Sequence, residues 1–203
     1  LSEQEDIPLA IKQAMEGIEQ HKPELVGSLP KDEYFNLEPK EDGETIRDDS
    51  LTASLLKIIN SIPRDLEGDV FGKVYEYFLG KFASSEGKGG GEYYTPTSVV
   101  RLMVEMIEPY KGRILDPACG SGGMFVQSAD FVQRSNDRPD RISVYGIEKE
   151  NETVKLARMN MFLHGLNGNI VQANSYYSDP HNSFGTFDFV MANPPFNVDD
   201  VSY

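Results

Sequence analysis

The chain has 203 residues, of which 39% are hydrophobic, enough to bury a core in one domain or slightly more. Its formal net charge of -14 argues against a broad basic surface that would grip nucleic acid without a partner. No apolar run approaches the ~20 residues that cross a bilayer, and no leader pattern opens the chain, so we expect a cytoplasmic protein. The single Cys119 excludes an internal disulfide, and because no Cys and His cluster has zinc-ligand spacing, we expect no metal.

The first part of the chain predicts helices without strands. Apolar residues recur at helical spacing over residues 7–20, 50–62 and about 66–83, and each segment predicts a helix. Residues 21–49 are rich in Pro, Gly, Asp and Glu and predict an irregular connection. The composition of residues 84–91 is typical of a hinge. We therefore expect a small helical domain over residues 1–88, incomplete at its start, and a second domain over residues 89–203.

Beyond the hinge, the pattern changes to an alternation of strands and helices. The first helix is predicted over residues 98–108, with Thr95 as its cap and Pro96 in its first turn. Strands are predicted over residues 113–115, 142–147, 169–173 and 187–192, and helices follow the first two of them. This alternation predicts an α/β fold with a doubly wound parallel sheet.

A glycine-rich loop follows the first of these strands, where residues 116–123 read DPACGSGG. Its glycines allow a sharp turn and a close approach to a ligand, and the helix behind them aims free N–H groups at the same point. The spacing differs from the dinucleotide fingerprint, and Asp116 would repel a pyrophosphate. A ligand with a positive charge, such as the ammonium of a methionyl group, is therefore favoured. Glu148, which ends the second strand, is the expected partner for ribose hydroxyls.

Asparagines follow the third and fourth strands. Asn174 either meets an adenine edge or forms a turn, and the residues leave both interpretations open. The fourth strand runs into Asn193-Pro194-Pro195-Phe196. Ligands bind at the carboxyl edge of a parallel sheet, so this tetrapeptide would present an amide, two stiff residues and an aromatic ring to a substrate. The alternative is an ordinary turn, because Asn-Pro is also a turn signal.

The DPACGSGG loop together with the later NPPF resembles the S-adenosylmethionine-dependent amino methyltransferases. With EYYTP at residues 92–96 and the segment 69–83, the chain is similar to the modification subunit of a type I restriction-modification system, an N6-adenine DNA methyltransferase. The resemblance implies a Rossmann-like methyltransferase fold, truncated here before its last strands. It also implies the cofactor S-adenosylmethionine, held by Glu92, Tyr93, Tyr94, Thr95, Pro96, Thr97, Asp116, Ser121, Gly122, Gly123 and Glu148, with Asn174 as a further candidate.

The resemblance also implies a catalytic role for the tetrapeptide. If the Asn193 side-chain oxygen and the Pro194 carbonyl accept from the exocyclic amino group of adenine, the nitrogen becomes more nucleophilic. Pro195 would stiffen the segment, and Phe196 would stack on an adenine flipped out of double-stranded DNA. Sequence recognition would fall to a specificity subunit, and a restriction subunit would complete the assembly. We expect the present fragment alone to have little activity.

Two other interpretations compete with this one. Enzymes that methylate a glutamine side chain at N5, or guanine at N2 in RNA, share an Asn-Pro-Pro-aromatic tetrapeptide. A non-catalytic interpretation makes the front domain an assembly module and the remainder a cofactor sensor.

Overall fold

The computed structural model describes residues 6–32, 37–39, 45–47, 50–61, 70–85 and 95–195. The chain divides into two compact units, Leu1–Gly68 and Asp69–Tyr203. The boundary that we predicted between residues 88 and 89 lies further along the chain, in a segment outside the described ranges. The third predicted helix therefore belongs to the second unit rather than to the front domain.

The described residues of the first unit form two α-helices, a 3-10 turn over Pro23–Leu25 and a short antiparallel pair of strands. Helix α1 spans Ile7–His21 and begins where the Asp6 side chain accepts a hydrogen bond from the N–H of Leu9 at 2.9 Å. Strands β1 (Leu37–Pro39) and β2 (Thr45–Arg47) pair antiparallel, and helix α2 spans Ser50–Asn60. The prediction of an irregular connection missed this hairpin, although the sequence between its strands contains Asp-Gly, a common hairpin signal.

The second unit carries the α/β pattern. Its helices are α3 (Val70–Ser85), α4 (Thr97–Ile107), α5 (Gly123–Arg134) and α6 (Asn151–Leu163). Its strands are β3 (Gly112–Asp116), β4 (Ile142–Glu148), β5 (Gly168–Gln172) and β6 (Phe189–Val190). A 3-10 turn over Pro139–Arg141 leads into β4. The predicted order of strands and helices is confirmed, and most bounds differ by one or two residues.

The four strands form one parallel sheet in the order β5-β4-β3-β6. The chain moves outward from β3 through β4 to β5 and then returns to place β6 on the other side of β3. This reversal of strand order confirms the predicted doubly wound topology. It also creates a crevice between the carboxyl ends of β3 and β6, the position at which open α/β sheets bind ligands.

Strand β6 is shorter than the predicted strand over residues 187–192. Its regular part is only Phe189–Val190, although the N–H groups of Asp188 and Met191 still donate to Arg113 and Leu115 of β3 at 3.0 and 2.9 Å. The Asp188 carboxylate also accepts from the Arg113 N–H at 2.8 Å, so a side chain replaces part of the expected ladder. The chain therefore leaves the sheet early and reaches Asn193 as a loop.

One cluster of buried residues joins α4, α5 and α6 to the sheet. Burying a large apolar side chain contributes about 1.5–3 kcal/mol, so this cluster dominates the stability of the second unit. Its fully enclosed members include Val100, Val104, Ile114, Phe125, Val132 and Val144. The Tyr75 hydroxyl of α3 donates to the carbonyl of Leu156 in α6 at 3.0 Å, which ties α3 to the same unit.

Within the described ranges, no helix is both long and apolar enough to cross a membrane. The cytoplasmic location stays a prediction.

Candidate functional site

A cleft of about 640 Å³, including its open mouth, lies at the crevice between β3 and β6. Six of the residues that we singled out from the sequence line it, together with Asn160 and Gln127 of helices α6 and α5. The six are Thr95, Thr97, Asp116, Ser121, Gly123 and Asn193.

The glycine loop turns sharply between β3 and α5. Gly120 and Gly122 have φ angles of 53° and 83°, a left-handed conformation in which other residues are strained. The carbonyl of Gly122 accepts from the N–H groups of Phe125 and Val126, and α5 begins at Gly123. Because the first N–H groups of a helix have no acceptor within it, the loop presents hydrogen-bond donors beside the cleft.

A glycine outside the loop, Gly146 of β4, lets the loop lie directly on the sheet. A Cβ atom at Gly146 would stand 2.6 Å from Cys119 Sγ and 2.8 Å from Ile170 Cδ1, closer than real Cβ contacts allow. The N–H of Cys119 donates to the carbonyl of Ile147 at 3.0 Å, which ties the loop to β4. Cys119 is 6% exposed, as expected for a packing residue.

Asp116 ends β3 and is only 2% exposed. Its Oδ1 accepts from the N–H of Ala118 at 2.9 Å. Burial raises the pKa of the Asp116 carboxyl to about 7, the hydrogen bond from Ala118 lowers it in part, and the negative charge of Glu148 raises it. A carboxyl group that titrates near neutrality therefore lies in the wall of the cleft, and a positive ligand would favour its ionised form.

Glu148 braces the glycine loop and is not among the described residues that line the cleft. Its Oε2 accepts from the N–H of Gly120 at 3.1 Å, and its Oε1 accepts from the N–H of Glu150 at 2.8 Å. The same carboxylate thus fixes both the loop after β3 and the start of α6. Each oxygen keeps a second lone pair, so these two bonds leave capacity for hydroxyl donors.

Asn160 of α6 is a site residue that sequence reasoning missed. It is 1% exposed, and its Nδ2 donates to the carbonyl of Ser121 at 2.9 Å, across 39 residues of chain. Its Oδ1 has no hydrogen-bond partner among the described residues. A polar residue at a core-facing position of the helix 150–164 was the available signal, because such residues need a specific partner.

Asn193 and Thr95 meet at the cleft. The Nδ2 of Asn193 donates to the Thr95 hydroxyl at 3.0 Å, which joins the loop after β6 to the residue two positions before α4. The prediction that Thr95 caps α4 is wrong: Pro96 is the cap residue, no side chain caps this helix, and the Pro96 carbonyl accepts from Val99 and Val100. Pro96 thus lies just before the first turn rather than in it.

The other residues that we expected at the site either do not line the cleft or lie outside the described residues. Asn174 forms a turn, because its Oδ1 accepts from the N–H of Tyr176 at 3.0 Å, and it does not line the cleft. Gly122 shapes the loop without lining the cleft, and Pro194 and Pro195 follow Asn193 as exposed residues. Glu92, Tyr93, Tyr94 and Phe196 lie outside the described residues. In the part of the chain that is described, no three His, Cys, Asp or Glu residues are grouped to hold a metal ion.

Comparison with known proteins places this site in a family. The model of the N-6 DNA Methylase family matches residues 66–202. The HindI methylase subunit of a Haemophilus influenzae type I restriction enzyme is 47% identical over 130 residues, 64% of this chain and 29% of that protein. The MjaIX methylase subunit of Methanocaldococcus jannaschii is 45% identical over 129 residues, 64% of this chain and 23% of that protein. The chain therefore matches less than a third of either relative.

A solved structure has the same fold. The methyltransferase subunit of a type I restriction-modification system from Streptococcus thermophilus superposes with a TM-score of 0.63 at 29% identity, covering 72% of this chain and 32% of that one. The family match covers more than half of the chain and includes the glycine loop and the cleft-lining Asn193. This chain belongs to the N-6 DNA Methylase family.

Proposed function

We propose that this chain is the cofactor-binding and catalytic part of a type I restriction-modification methyltransferase subunit, which methylates N6 of adenine in DNA. One observation carries the proposal: Asn193, the first residue of the NPPF tetrapeptide, lines the same cleft as Asp116 and the glycine loop. A group acting on a substrate amine and a site for a charged small ligand are therefore adjacent. The names of the relatives support DNA as the substrate class.

The groups that line the cleft fit S-adenosylmethionine. Asp116 supplies a buried carboxyl group for an ammonium, and the start of α5 supplies N–H donors for a carboxylate. A Cβ atom at Gly123 would meet nothing within 4 Å, so the approach to these donors is open. Ser121, Thr97 and Glu148 are proposed to complete the site, with Glu148 accepting from ribose hydroxyls through its remaining lone pairs. When bound, the cofactor supplies an electrophilic methyl group.

Asn193 and Pro194 are proposed to activate the adenine. The lone pair of the exocyclic nitrogen is delocalised into the ring, which makes this nitrogen a poor nucleophile. The Asn193 Oδ1 and the Pro194 carbonyl would accept from the two amino hydrogens and draw the nitrogen toward tetrahedral geometry. Pro194 and Pro195 restrict the backbone in advance, so the acceptors need little reorganisation. Phe196 is proposed to stack on the flipped base.

Partner subunits are proposed to supply most of the binding affinity for DNA. The chain carries a net charge of -14, whereas proteins that bind the phosphate backbone on their own present clustered Lys and Arg. A specificity subunit would read the DNA sequence, and a restriction subunit would join the same assembly. The subunit would then contribute the flipped-base pocket and the cofactor site.

The test uses the intact methyltransferase subunit, with and without its specificity partner, and methyl-labelled S-adenosylmethionine. Unmethylated genomic DNA, ribosomal RNA and a translation release factor are offered in parallel. We expect label in DNA, on N6-methyladenine after nuclease digestion, and only with the partner present. Label in RNA or in the release factor but not in DNA would contradict the proposal and favour guanine-N2 or glutamine-N5 methylation.

A further inference from the structure

Asn160 is a polar side chain at a core-facing position of α6. It is 1% exposed, and Ala157 and Met161 of the same helix are 0% and 2% exposed. Its Nδ2 donates to the carbonyl of Ser121 at 2.9 Å, and no described residue pairs with its Oδ1. A buried acceptor without a partner destabilises a fold, so packing alone does not account for an amide here. The bond to Ser121 is what distinguishes Asn160 from an apolar side chain at the same place.

The partner of this hydrogen bond determines its direction. A main-chain carbonyl can only accept, so the end of the amide that faces Ser121 is the NH₂ group. The opposite orientation would place Oδ1 of Asn160 against the Ser121 oxygen, acceptor against acceptor. The Asn160 amide therefore has a single orientation, with its donor end on the glycine loop.

The bond from Asn160 fixes one peptide unit of the glycine loop. The carbonyl of this unit belongs to Ser121, and its N–H, which belongs to Gly122, donates to the carbonyl of Cys119 at 2.9 Å. Both polar ends of the unit are thus bonded. Glycines such as Gly120 and Gly122 have access to several backbone conformations, so the loop is not fixed by its own sequence. Rotation of the peptide unit would break both bonds, and the loop is therefore held in one conformation.

Helix α6 also contacts the loop at the next residue. A Cβ atom at Gly122 would stand 2.7 Å from Cε of Met161, so the helix and this glycine lie in direct contact. Met161 belongs to the buried cluster that joins the helices to the sheet. Helix α5 begins at Gly123, directly after the fixed peptide unit, and its first N–H groups are the donors proposed for the cofactor carboxylate. The packing of α6 therefore determines the direction of these donors before a ligand binds.

We propose that Asn160 is a positioning residue, whose amide holds the peptide unit between Ser121 and Gly122 in the conformation that binds the cofactor. The proposal rests on the proposed function and adds a residue of α6 to its cofactor site. Without the bond, a fraction of the protein has the loop in another conformation, and the apparent dissociation constant of the cofactor rises as the competent fraction falls. Once the cofactor is bound the loop is in place, so the rate of methyl transfer does not depend on Asn160.

The test compares Asn160→Ala with Val154→Ala in the intact subunit with its specificity partner. Both changes truncate a side chain of α6 that is 1% exposed, and Val154 carries no polar group. We expect Asn160→Ala to weaken S-adenosylhomocysteine binding by about threefold to tenfold in calorimetry, the range for one hydrogen bond. Val154→Ala should lower the urea concentration at the midpoint of unfolding, because it leaves a cavity, and should leave the dissociation constant within about twofold of the wild type.

The single-turnover rate of methyl transfer separates positioning from chemistry. At saturating S-adenosylmethionine, we expect Asn160→Ala to react within about twofold of the wild-type rate. An unchanged dissociation constant in Asn160→Ala would overturn the inference. An equal loss of affinity in Val154→Ala would also overturn it, because affinity would then follow packing alone. A slow rate at saturating cofactor with normal binding would place Asn160 in the reaction itself, with the same consequence.

Asn160→Leu, which fills the space that Ala leaves, provides the same comparison if Asn160→Ala does not fold. These outcomes remain separate from the fate of the proposed function. A wild-type assembly that methylates RNA or a release factor instead of DNA contradicts the DNA assignment. The ratio of dissociation constants between the variant and the wild type does not depend on the methyl acceptor, so it still tests the role of Asn160.

Discussion

Replacement of Asp116 by Asn tests the electrostatic character of the cleft. Asn has nearly the same shape as Asp, and its Oδ1 can still accept from the N–H of Ala118, the bond that measures 2.9 Å in the structure. The variant therefore mimics the protonated acid and removes only the titration. Any difference between the two proteins that changes with pH belongs to the Asp116 carboxyl group.

The size of the expected change in the free energy of unfolding follows from the pKa of Asp116, which burial raises from 3.8 to about 7. Between these two values, the folded protein holds a proton that the unfolded chain has released. The free energy of unfolding therefore falls as the pH rises through this window, and it levels off above about pH 7. A shift of about three pH units corresponds to a full loss of about 4 kcal/mol, of which about 2–3 kcal/mol falls between pH 5 and pH 8.

The assay is urea unfolding of the wild type and of Asp116→Asn at several pH values between 5 and 8. The carboxyl groups remote from position 116 have the same surroundings in both proteins, so their contribution cancels in the difference. We expect the free energy of unfolding of Asp116→Asn, relative to the wild type, to increase by about 2–3 kcal/mol over this range. A difference that stays constant from pH 5 to pH 8 would refute the assignment of a raised pKa to Asp116.

Two further changes test the loop and its brace. Gly146→Ala should lower the free energy of unfolding by about 1–3 kcal/mol, because the new Cβ would stand 2.6 Å from Cys119 Sγ. Gly17→Ala is the control, because a Cβ atom at this position of α1 meets nothing within 4 Å, and this change should raise the free energy of unfolding by about 0.5–1 kcal/mol. If urea unfolding shows the same change for both variants, the close contact between position 146 and Cys119 is disproved. Glu148→Gln should weaken S-adenosylhomocysteine binding about tenfold by calorimetry, because the amide has one oxygen and its NH₂ group cannot accept the second N–H. Glu152→Gln, on the exposed face of α6, should leave this binding unchanged. Unchanged affinity in Glu148→Gln would argue against its role at the ribose.

The parallel sheet and the glycine loop could be predicted because local patterns encode them. Each strand is a short apolar run, each helix repeats its apolar residues at helical spacing, and the glycines lie between a strand and a helix. Such signals lie within one helix or strand, at most about 18 residues, so they can be recognised without knowledge of the fold. The reversal of strand order at β3 then followed from the alternation itself, and it placed Asp116 and Asn193 at one crevice.

The contacts that complete the site could not be predicted in the same way. The bond from Asn193 to Thr95 and the bond from Asn160 to Ser121 span 98 and 39 residues, and nothing local specifies either. Glu148 was expected to face a ribose, whereas its carboxylate also holds the loop through the N–H of Gly120. Side-chain hydrogen bonds of this kind depend on the position and rotation of each helix packed against the sheet. The periodicity of the sequence does not determine these.

The role of Asn193 as an acceptor for the substrate amine is the central claim, and Asn193→Ala tests it most directly. The measurement is the single-turnover rate of methyl transfer to adenine in unmethylated DNA, made with the intact subunit and its specificity partner. Asn169→Ala, at an exposed position of β5, serves as the matched control. We expect Asn193→Ala to lose about a hundredfold or more in rate while S-adenosylhomocysteine binds normally. Methyl transfer by Asn193→Ala at the rate of Asn169→Ala and of the wild type would contradict the account.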